Sequence, residues 1–262
     1  MNIRNRLLAG LPDDEVDRLR PHLQLVPLPL GRVIYDPEQH IDAVYFPEDG
    51  IISLLSIMSD GSAVETATVG KDGMAGIAVF HGVDRVAEQA YVQVPGEGYR
   101  IGSQAFRAVL QSCPALAAAL HRYSVALFTL AAQTSGCNRK HTIEQRCARW
   151  LLMVHDRVTG DEFELTQLVL SQMLGVRRAT VTEAAGELQR AGYIRYSRGH
   201  IAVVDRAGLE AAACECYGII RSTIDRLVCG EPTPSPLEGV RVSEGGQTTA
   251  RDGAPITADT DG

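Results

Sequence analysis

The sequence lacks the short motifs that mark the common classes of enzyme. It contains no phosphate-binding Walker loop, no Gly-x-Ser-x-Gly nucleophile turn and no His-Glu-x-x-His helix. Its run Gly96-x-Gly98-x-x-x-Gly102 has the wrong spacing for a dinucleotide-binding turn. The seven histidines are dispersed along the chain. The sequence therefore predicts a protein that is not an enzyme and has no catalytic residues.

Signals for export, membrane insertion and metal binding are also missing. The N-terminus has acidic residues where a signal peptide needs an apolar core, and His121 and Arg122 interrupt the most apolar run. The six cysteines are scattered, and no second Cys or His pair lies at zinc spacing from Cys214 and Cys216. Because residues two apart on a helix face nearly opposite sides, we interpret this pair as structural. We expect a cytoplasmic protein with no membrane partner, no metal and no cofactor.

The chain has a surplus of acidic side chains, which at first argues against a nucleic-acid partner. Its net charge is −7. Between Arg139 and Arg206, however, eleven cationic and eight acidic side chains give +3, so the rest of the chain carries −10. This distribution favours a basic footprint on the C-terminal part alone.

One stretch, residues 165–204, has the pattern of a helix, a tight turn, a second helix and a hairpin. Thr166 suits an N-cap, and Gly175 suits the left-handed residue that ends a helix at a sharp turn. The second helix begins near Arg178 and ends at Gly192. Its predicted buried face is Val181, Ala184, Ala185 and Leu188. The pattern is that of a helix-turn-helix.

The opposite side of the second helix carries residues that the core does not need. Arg178 can make a bidentate contact to guanine, the methyl groups of Ala179 and Thr182 suit thymine, and Glu183 can accept from cytosine. Each charge alone is equally well explained as a solvated surface group. Together, between a tight turn and a hairpin, these four residues predict direct reading of DNA bases.

The hairpin after this helix has a basic tip. Beside a recognition helix such a tip is a wing that contacts phosphate, although the hairpin alone would be interpreted as a polar turn. Residues at helix N-termini suit the same role. The predicted phosphate contacts are Thr166, Gln167, Arg177, Thr180, Ser197, Arg198 and His200.

The first part of the chain alternates short apolar segments with turns rich in Gly, Pro and Asp. This pattern predicts a sandwich or barrel of short strands after a helical lead-in at 4–22. The predicted strands are Gln24–Leu28, Arg32–Tyr35, Ala43–Phe46, Ile51–Ile57, Ala63–Val69, Ile77–Phe80, Gln89–Val94 and Tyr99–Ile101. A short helix should follow, to about residue 112.

A long helix is predicted from 115 to 138. Its apolar residues recur at nearly heptad steps, at Leu116, Leu120, Tyr123, Leu127 and Leu130. This stripe favours pairing of two copies about a two-fold axis, because helix-turn-helix proteins normally read paired half-sites. The alternative is that the stripe packs on its own β domain. Further helices are predicted at 142–155 and 207–228, followed by a disordered tail.

Three parts of the sequence resemble the Crp/Fnr family of bacterial transcription regulators. They are GRVIYDPEQHIDAVYFPEDGIISLL with VETATVGKDGMAG, CNRKHTIEQRCARWLLMVHDR, and the stretch from 165 to 218. The resemblance implies an α+β fold with an N-terminal antiparallel β-roll (a double-stranded β-helix). The implied divisions are a β-roll effector domain at 1–113, a dimerisation helix at 114–138, a winged helix-turn-helix domain at 139–229 and a disordered tail at 230–262.

The sequence departs from the family in its sensing residues. Members that bind cyclic nucleotides place an arginine against the cyclic phosphate, where this chain has Glu88, whose carboxylate would repel the phosphate. We therefore expect no binding of cyclic AMP of the usual kind. Members with an iron–sulfur cluster use N-terminal cysteines, whereas the first cysteine here is Cys113. The effector is unknown.

The recognition helix also departs from the family pattern. Arg178 matches the first base-reading arginine of the family, whereas Ala179 and Glu183 differ from it, so the operator should differ too. The resemblance implies a homodimer that reads a palindromic operator in double-stranded DNA under control of a signal at the β-roll, and it admits RNA polymerase as a partner. The alternative function is a β-roll ligand-binding signalling module without sequence-specific DNA binding.

Overall fold

The computed structural model describes residues 3–230, together with the backbone of two short paired strands at Arg241–Val242 and Thr248–Thr249. The rest of the predicted disordered tail lies outside the described residues. The helices are α1 Arg6–Ala9, α2 Asp13–Leu19, α3 Ile77–Phe80, α4 Ser103–Leu110, α5 Pro114–Lys140, α6 Ile143–His155, α7 Gln167–Leu174, α8 Arg178–Arg190, α9 Arg206–Ala212 and α10 Cys216–Val228. The strands are β1 Gln24–Leu28, β2 Val33–Tyr35, β3 Ala43–Pro47, β4 Ile51–Ile57, β5 Ala63–Val69, β6 Glu88–Val94, β7 Gly96–Gly102, β8 Glu162–Glu164, β9 Ile194–Ser197 and β10 His200–Val203.

The N-terminal part is built from two antiparallel sheets. One has the order β1-β7-β3 and the other β2-β6-β4-β5. Apolar side chains of β3 and β7 meet α4, whose Phe106 lies 6.4 Å from Phe46 between ring centroids. Both rings are completely buried, as are Ile52, Val92 and Ile101. Burial of these large side chains is the main source of stability here. The predicted α+β class with an antiparallel β-roll is confirmed.

The predicted strand at Ile77–Phe80 is wrong, because this segment is the short helix α3. It follows Gly76, whose φ of +86° turns the chain away from the single β-bridge that Ala75 makes with Tyr45. Val79 is buried, and Phe80 contacts the ring of His121 on α5 with centroids 4.8 Å apart. A run of four apolar residues contains no period that separates a strand from a buried helical turn.

The apolar stripe predicted as a dimer seam on α5 is mostly buried within its own chain. Leu116, Leu120, Tyr123 and Leu130 are at most 5% exposed, and Leu127 is partly buried. They pack against the β-roll and α10, and the Tyr123 hydroxyl donates to the carbonyl of Met74 over 3.2 Å. The alternative of packing on the same chain therefore accounts for this stripe. A different face of α5 is open, where Val125 is 56% and Phe128 75% exposed.

By length and composition alone, α5 is a candidate membrane span. A helix in the core of a soluble protein passes the same test, and His121 and Arg122 interrupt the N-terminal half of α5. Its contacts with β5 and α10 are those of a core helix.

The C-terminal part surrounds the single tryptophan of the chain, Trp150 on α6, which is 1% exposed. A three-stranded antiparallel sheet, β8-β10-β9, covers the helices α6 to α8. Strand β8 was not predicted, because its three residues carry only one apolar side chain, Phe163.

The single helix predicted at 207–228 is also wrong. It is interrupted at 213–215, where Ala213 takes an extended conformation with φ −78° and ψ 156°. No Gly or Pro marks this break, so sequence punctuation does not reveal it. Cys214 and Cys216 lie on either side of Glu215 and are both buried, at 4% and 1% exposed. The premise that they point to opposite sides of one helix is therefore incorrect.

Two buried polar contacts join the β-roll to α6 and the residues after it. The Trp150 indole donates to Glu65 Oε1 over 2.8 Å, and the Ser53 hydroxyl donates to Glu65 Oε2 over 2.6 Å. Arg157, only 4% exposed, pairs with Asp72 over 2.7 Å. The stem of Arg157 crosses Gly70 so closely that a Cβ there would lie 2.3 Å from its Cδ. Only glycine permits this approach.

Candidate nucleic-acid interface

The first helix of the helix-turn-helix is held at both ends as predicted. The Thr166 hydroxyl accepts from the amide of Val169 over 3.3 Å and caps α7. Gly175 ends the helix with φ +63°, the left-handed conformation that the sharp turn requires. Arg146 on α6 donates to the carbonyl of Leu174, which fixes the turn against the domain core.

The second helix, α8, divides into the two predicted faces. Its inner face is buried at Val181, Ala184, Ala185 and Leu188, each at most 3% exposed. The four predicted base-reading residues, Arg178, Ala179, Thr182 and Glu183, are all exposed. The Thr182 hydroxyl donates to the carbonyl of Arg178 over 2.9 Å. That bond occupies the hydroxyl proton and leaves the methyl group for an apolar contact.

A concave surface forms where α7 begins, α8 begins and the wing turns. Its volume is about 380 Å³, and it is lined by Thr166, Gln167, Arg178, Tyr196, Arg198 and Gly199. Four of these residues were predicted to contact DNA. They come from three separate segments, so the fold brings together side chains that the sequence keeps apart. Such a surface offers a helix N-terminus and two guanidinium groups to a polyanion.

The wing is fixed by its own backbone and by Tyr196. Arg198 and Gly199 form its turn with φ of +50° and +82°. The Tyr196 hydroxyl donates to the carbonyl of Leu165 over 3.0 Å, and the Tyr196 amide donates to Gln189 Oε1 over 2.6 Å. Burial raises the pKa of Tyr196 to about 12, so its hydroxyl stays protonated at neutral pH. Tyr196 was not among the residues predicted from the sequence, where its position beside the basic tip was the available signal.

The other predicted phosphate contacts lie around this surface. Arg177, Ser197 and His200 are exposed, and Thr180 is half-buried. None of these four lines the concave surface itself. Thr166, Arg198 and His200 also line a gap of about 200 Å³ together with Leu30 and Gln93 of the β-roll. In this arrangement of the chain, part of the proposed phosphate-contacting surface therefore adjoins the N-terminal domain.

A second cavity, of about 500 Å³, lies between the β-roll and α5. Its walls include Thr66 and Glu88 from the sheet, His81 after α3, and Ser124 and Phe128 from α5. Among the described residues that line it there is no arginine and no lysine. Glu88, predicted to stand where cyclic-nucleotide-binding relatives have an arginine, is thus part of its wall.

Comparison with known proteins places the helix-turn-helix in a known domain family. The Crp-like helix-turn-helix domain family matches residues 145–212. No curated protein sequence matches the chain. Among solved structures, FixK2 from Bradyrhizobium japonicum is 16% identical with a TM-score of 0.62, and the match covers 73% of this chain and 98% of that one.

Two further structures show the same fold. A Crp/Fnr-family transcriptional regulator from Thermus thermophilus is 21% identical with a TM-score of 0.56, covering 72% of this chain and 98% of that one. The c-di-GMP-responsive global regulator CLP from Xanthomonas campestris is 13% identical with a TM-score of 0.58, covering 73% and 99%.

A β-roll joined by a long helix to a winged helix-turn-helix with an exposed face on its second helix is the fold that these structures share with the chain. Together with the match of its C-terminal domain, this fold confirms the resemblance seen in the sequence. Residues 145–212 thus belong to the Crp-like helix-turn-helix domain family, and the chain as a whole has the fold of the Crp/Fnr structures.

Proposed function

We propose that two copies of the chain bind a palindromic operator, with one α8 in each major groove, and that a ligand in the β-roll cavity adjusts this affinity. The observation that carries the proposal is the exposed edge of α8 beside a basic concave surface. Arg178 stands at that edge with Thr166 and Arg198 as its neighbours on the surface. In this proposal Arg178, Ala179, Thr182 and Glu183 read bases. Thr166, Gln167, Arg177, Thr180, Ser197, Arg198 and His200 hold phosphates.

The domain divisions that we propose are those implied by the resemblance to the Crp/Fnr family. Residues 1–113 form the sensing domain, 114–138 the connecting helix and 139–229 the DNA-binding domain. In this proposal the protein acts in the cytoplasm, and its partners are double-stranded DNA and a second copy of the same chain. RNA polymerase is a further partner for a regulator that activates genes.

Replacing Arg178 by alanine should weaken binding to the specific operator by about 1–3 kcal/mol, because one bidentate base contact is lost. Binding to random DNA should change far less. The operator is first selected from a random pool, and affinities are then measured by gel shift at several salt concentrations. Arg190→Ala, at the exposed C-terminal end of the same helix, is the matched control and should leave specificity unchanged.

Equal loss on specific and random DNA would make Arg178 a phosphate contact rather than a base reader. A pool that yields no preferred sequence, with shallow salt dependence, would instead favour the ligand-binding signalling module without specific DNA binding.

The open face of α5 is the better candidate for the two-fold contact than the stripe predicted from sequence. Ala118, Val125, Phe128 and Ala132 are exposed there at steps of 7, 3 and 4 residues, which approximates a heptad seam. Phe128→Glu should therefore convert a dimer into a monomer, as measured by light scattering after size exclusion. Leu25→Glu, at an apolar side chain of β1 that is 51% exposed, should leave the dimer intact.

If Phe128→Glu stays dimeric, the contact lies elsewhere on the chain. If both variants and the parent are monomeric and still bind palindromes tightly, the two-copy proposal fails.

The β-roll cavity suits a neutral or cationic ligand better than a phosphodiester. Glu88 contributes a carboxylate, and the described lining residues supply no guanidinium or ammonium group to offset an added anion. Cyclic AMP is accordingly not the proposed effector.

A further inference from the structure

Four potential metal ligands meet where the end of α5 faces the start of α10. They are Cys137 and His141 from the last turn of α5 and the residue after it, and Cys214 and Cys216 from the α9–α10 junction. One ligand atom from each lies within 4.8 Å of the other three. The Cys137 and Cys214 sulfurs are 3.5 Å apart, as are the Cys216 sulfur and His141 Nδ1.

The backbone explains why these side chains converge. Cys137 and His141 are four residues apart and therefore share one face at the end of α5. The break at 213–215 allows both Cys214 and Cys216 to face inward, which a continuous helix would prevent. Three thiols are buried together at 0–4% exposure, apart from the main apolar core. The arrangement thus depends on an interruption that costs helical hydrogen bonds.

The distances fit a tetrahedral site. Zinc binds sulfur at about 2.3 Å and imidazole nitrogen at about 2.0–2.1 Å, so adjacent ligand atoms of a tetrahedron lie about 3.5–3.8 Å apart. The closest ligand atoms already stand at 3.5 Å, and the others need shifts of at most about an ångström to reach tetrahedral spacing. Three sulfurs and one nitrogen form a closed set of four ligands, as in structural zinc sites.

The imidazole is oriented as a ligand would be. Its Nδ1 faces Cys216, and its Nε2 lies 3.1 Å from Glu215 Oε1. Histidines that bind metals usually donate their other N–H to a carboxylate or carbonyl, which fixes the tautomer. Gln133 adds a hydrogen bond over 3.1 Å to the Cys216 sulfur.

Positive charge next to the cluster favours thiolates. Arg146 and Arg149 are 6% and 3% exposed, and neither has an ion-pair partner among the described residues. The Nε atoms of both also lack a hydrogen-bond partner within that part of the chain. Both guanidinium groups interact electrostatically with the sulfur of Cys137. Zinc with three thiolates carries a net charge of −1, which these cations would offset.

We propose that Cys137, His141, Cys214 and Cys216 bind one zinc ion that fastens the N-terminus of α10 to the C-terminus of α5. The ion would fix the junction from which α6 leads into the DNA-binding domain. The proposal does not depend on DNA recognition, and the metal is named by ligand chemistry, since thiolate-rich tetrahedral sites select zinc.

The test is the metal content of the full chain, purified under reducing conditions without chelator. We expect about one zinc per chain by mass spectrometry of the elements, matching one four-ligand site. Cys214→Ser and Cys216→Ser should each lose most of the zinc, whereas Cys229→Ser, at the other end of α10, should retain it.

A second measurement uses the parent protein and so does not depend on whether the variants fold. Titration of the metal-free parent with Co²⁺ should produce the intense thiolate-to-cobalt absorption and the visible bands of a tetrahedral site, reversed by added zinc. Parent protein without stoichiometric metal that also gives only octahedral cobalt spectra would overturn the proposal. So would zinc retained in both Cys214→Ser and Cys216→Ser, or a disulfide between Cys137 and Cys214 in freshly purified protein.

Discussion

Replacing Asp72 by alanine should lower the free energy of unfolding by about 3–5 kcal/mol, because it leaves a buried guanidinium without its counter-ion. Arg157 reaches Asp72 through both Nε and Nη2, at 2.8 and 2.7 Å, and it also donates to Thr68 and to the carbonyl of Met153. Burial alone would raise the pKa of Asp72, but the adjacent charge of Arg157 outweighs it and the pKa is lowered.

The matched control is an ion pair of similar length at the surface. Arg195 and Glu162 are 2.9 Å apart, but both side chains are about two-thirds exposed, at 68% and 67%. Glu162→Ala should therefore cost less than about 1 kcal/mol. Urea titration of both variants measures the difference. If the two substitutions cost the same, burial does not set the strength of the Asp72–Arg157 contact.

The second large effect is a dependence of stability on pH that originates at Glu65. Burial raises the pKa of this carboxyl to about 7, even though Ser53 and Trp150 donate to it and Arg149 and Arg157 act in the opposite sense. In the unfolded chain Glu65 has an ordinary pKa of 4.5, so as the pH rises the unfolded chain releases this proton at a lower pH than the folded protein does. The contribution of protonated Glu65 to the free energy of unfolding is complete below pH 4.5 and declines as the pH rises towards 7.

Between pH 5 and pH 8 this decline amounts to about 2–3 kcal/mol. Glu65→Gln removes the titrating group while its amide oxygen still accepts from Trp150. Because the variant does not undergo this decline, its free energy of unfolding should rise by about that amount relative to the parent's between pH 5 and pH 8. Unfolding by urea at several pH values measures it. Glu164→Gln, at one of the two exposed residues of β8, should show no such trend. If the free energies of unfolding of the parent and of Glu65→Gln changed in parallel with pH, the pH dependence would not originate at Glu65.

The helix-turn-helix was predictable because each of its parts has a local signal. Thr166 and Gly175 mark the ends of α7, and the spacing of Val181 and Leu188 defines the buried side of α8. The exposed side then follows by elimination. Only the concave surface, which joins Arg178 to Tyr196 and Arg198, needed the folded chain, because the wing reaches it from twenty residues away.

The errors arose where tertiary contacts decide the local structure. The stripe from Leu116 to Leu130 has the heptad period of a two-fold seam, yet the same period serves a helix that packs on β5 and α10. The break before α10 lacks Gly or Pro, so the meeting of Cys214 with Cys137 is invisible in the sequence. Periodicity shows that a face is buried, but it does not show against what.

The chain contains one tryptophan, and its indole N–H donates across the junction between the two domains to Glu65. Any rearrangement that separates α6 from β5 would place that indole in a more polar medium. The unlabelled protein therefore carries an optical reporter of domain separation, whose emission can be followed during titration with ligand, DNA or acid.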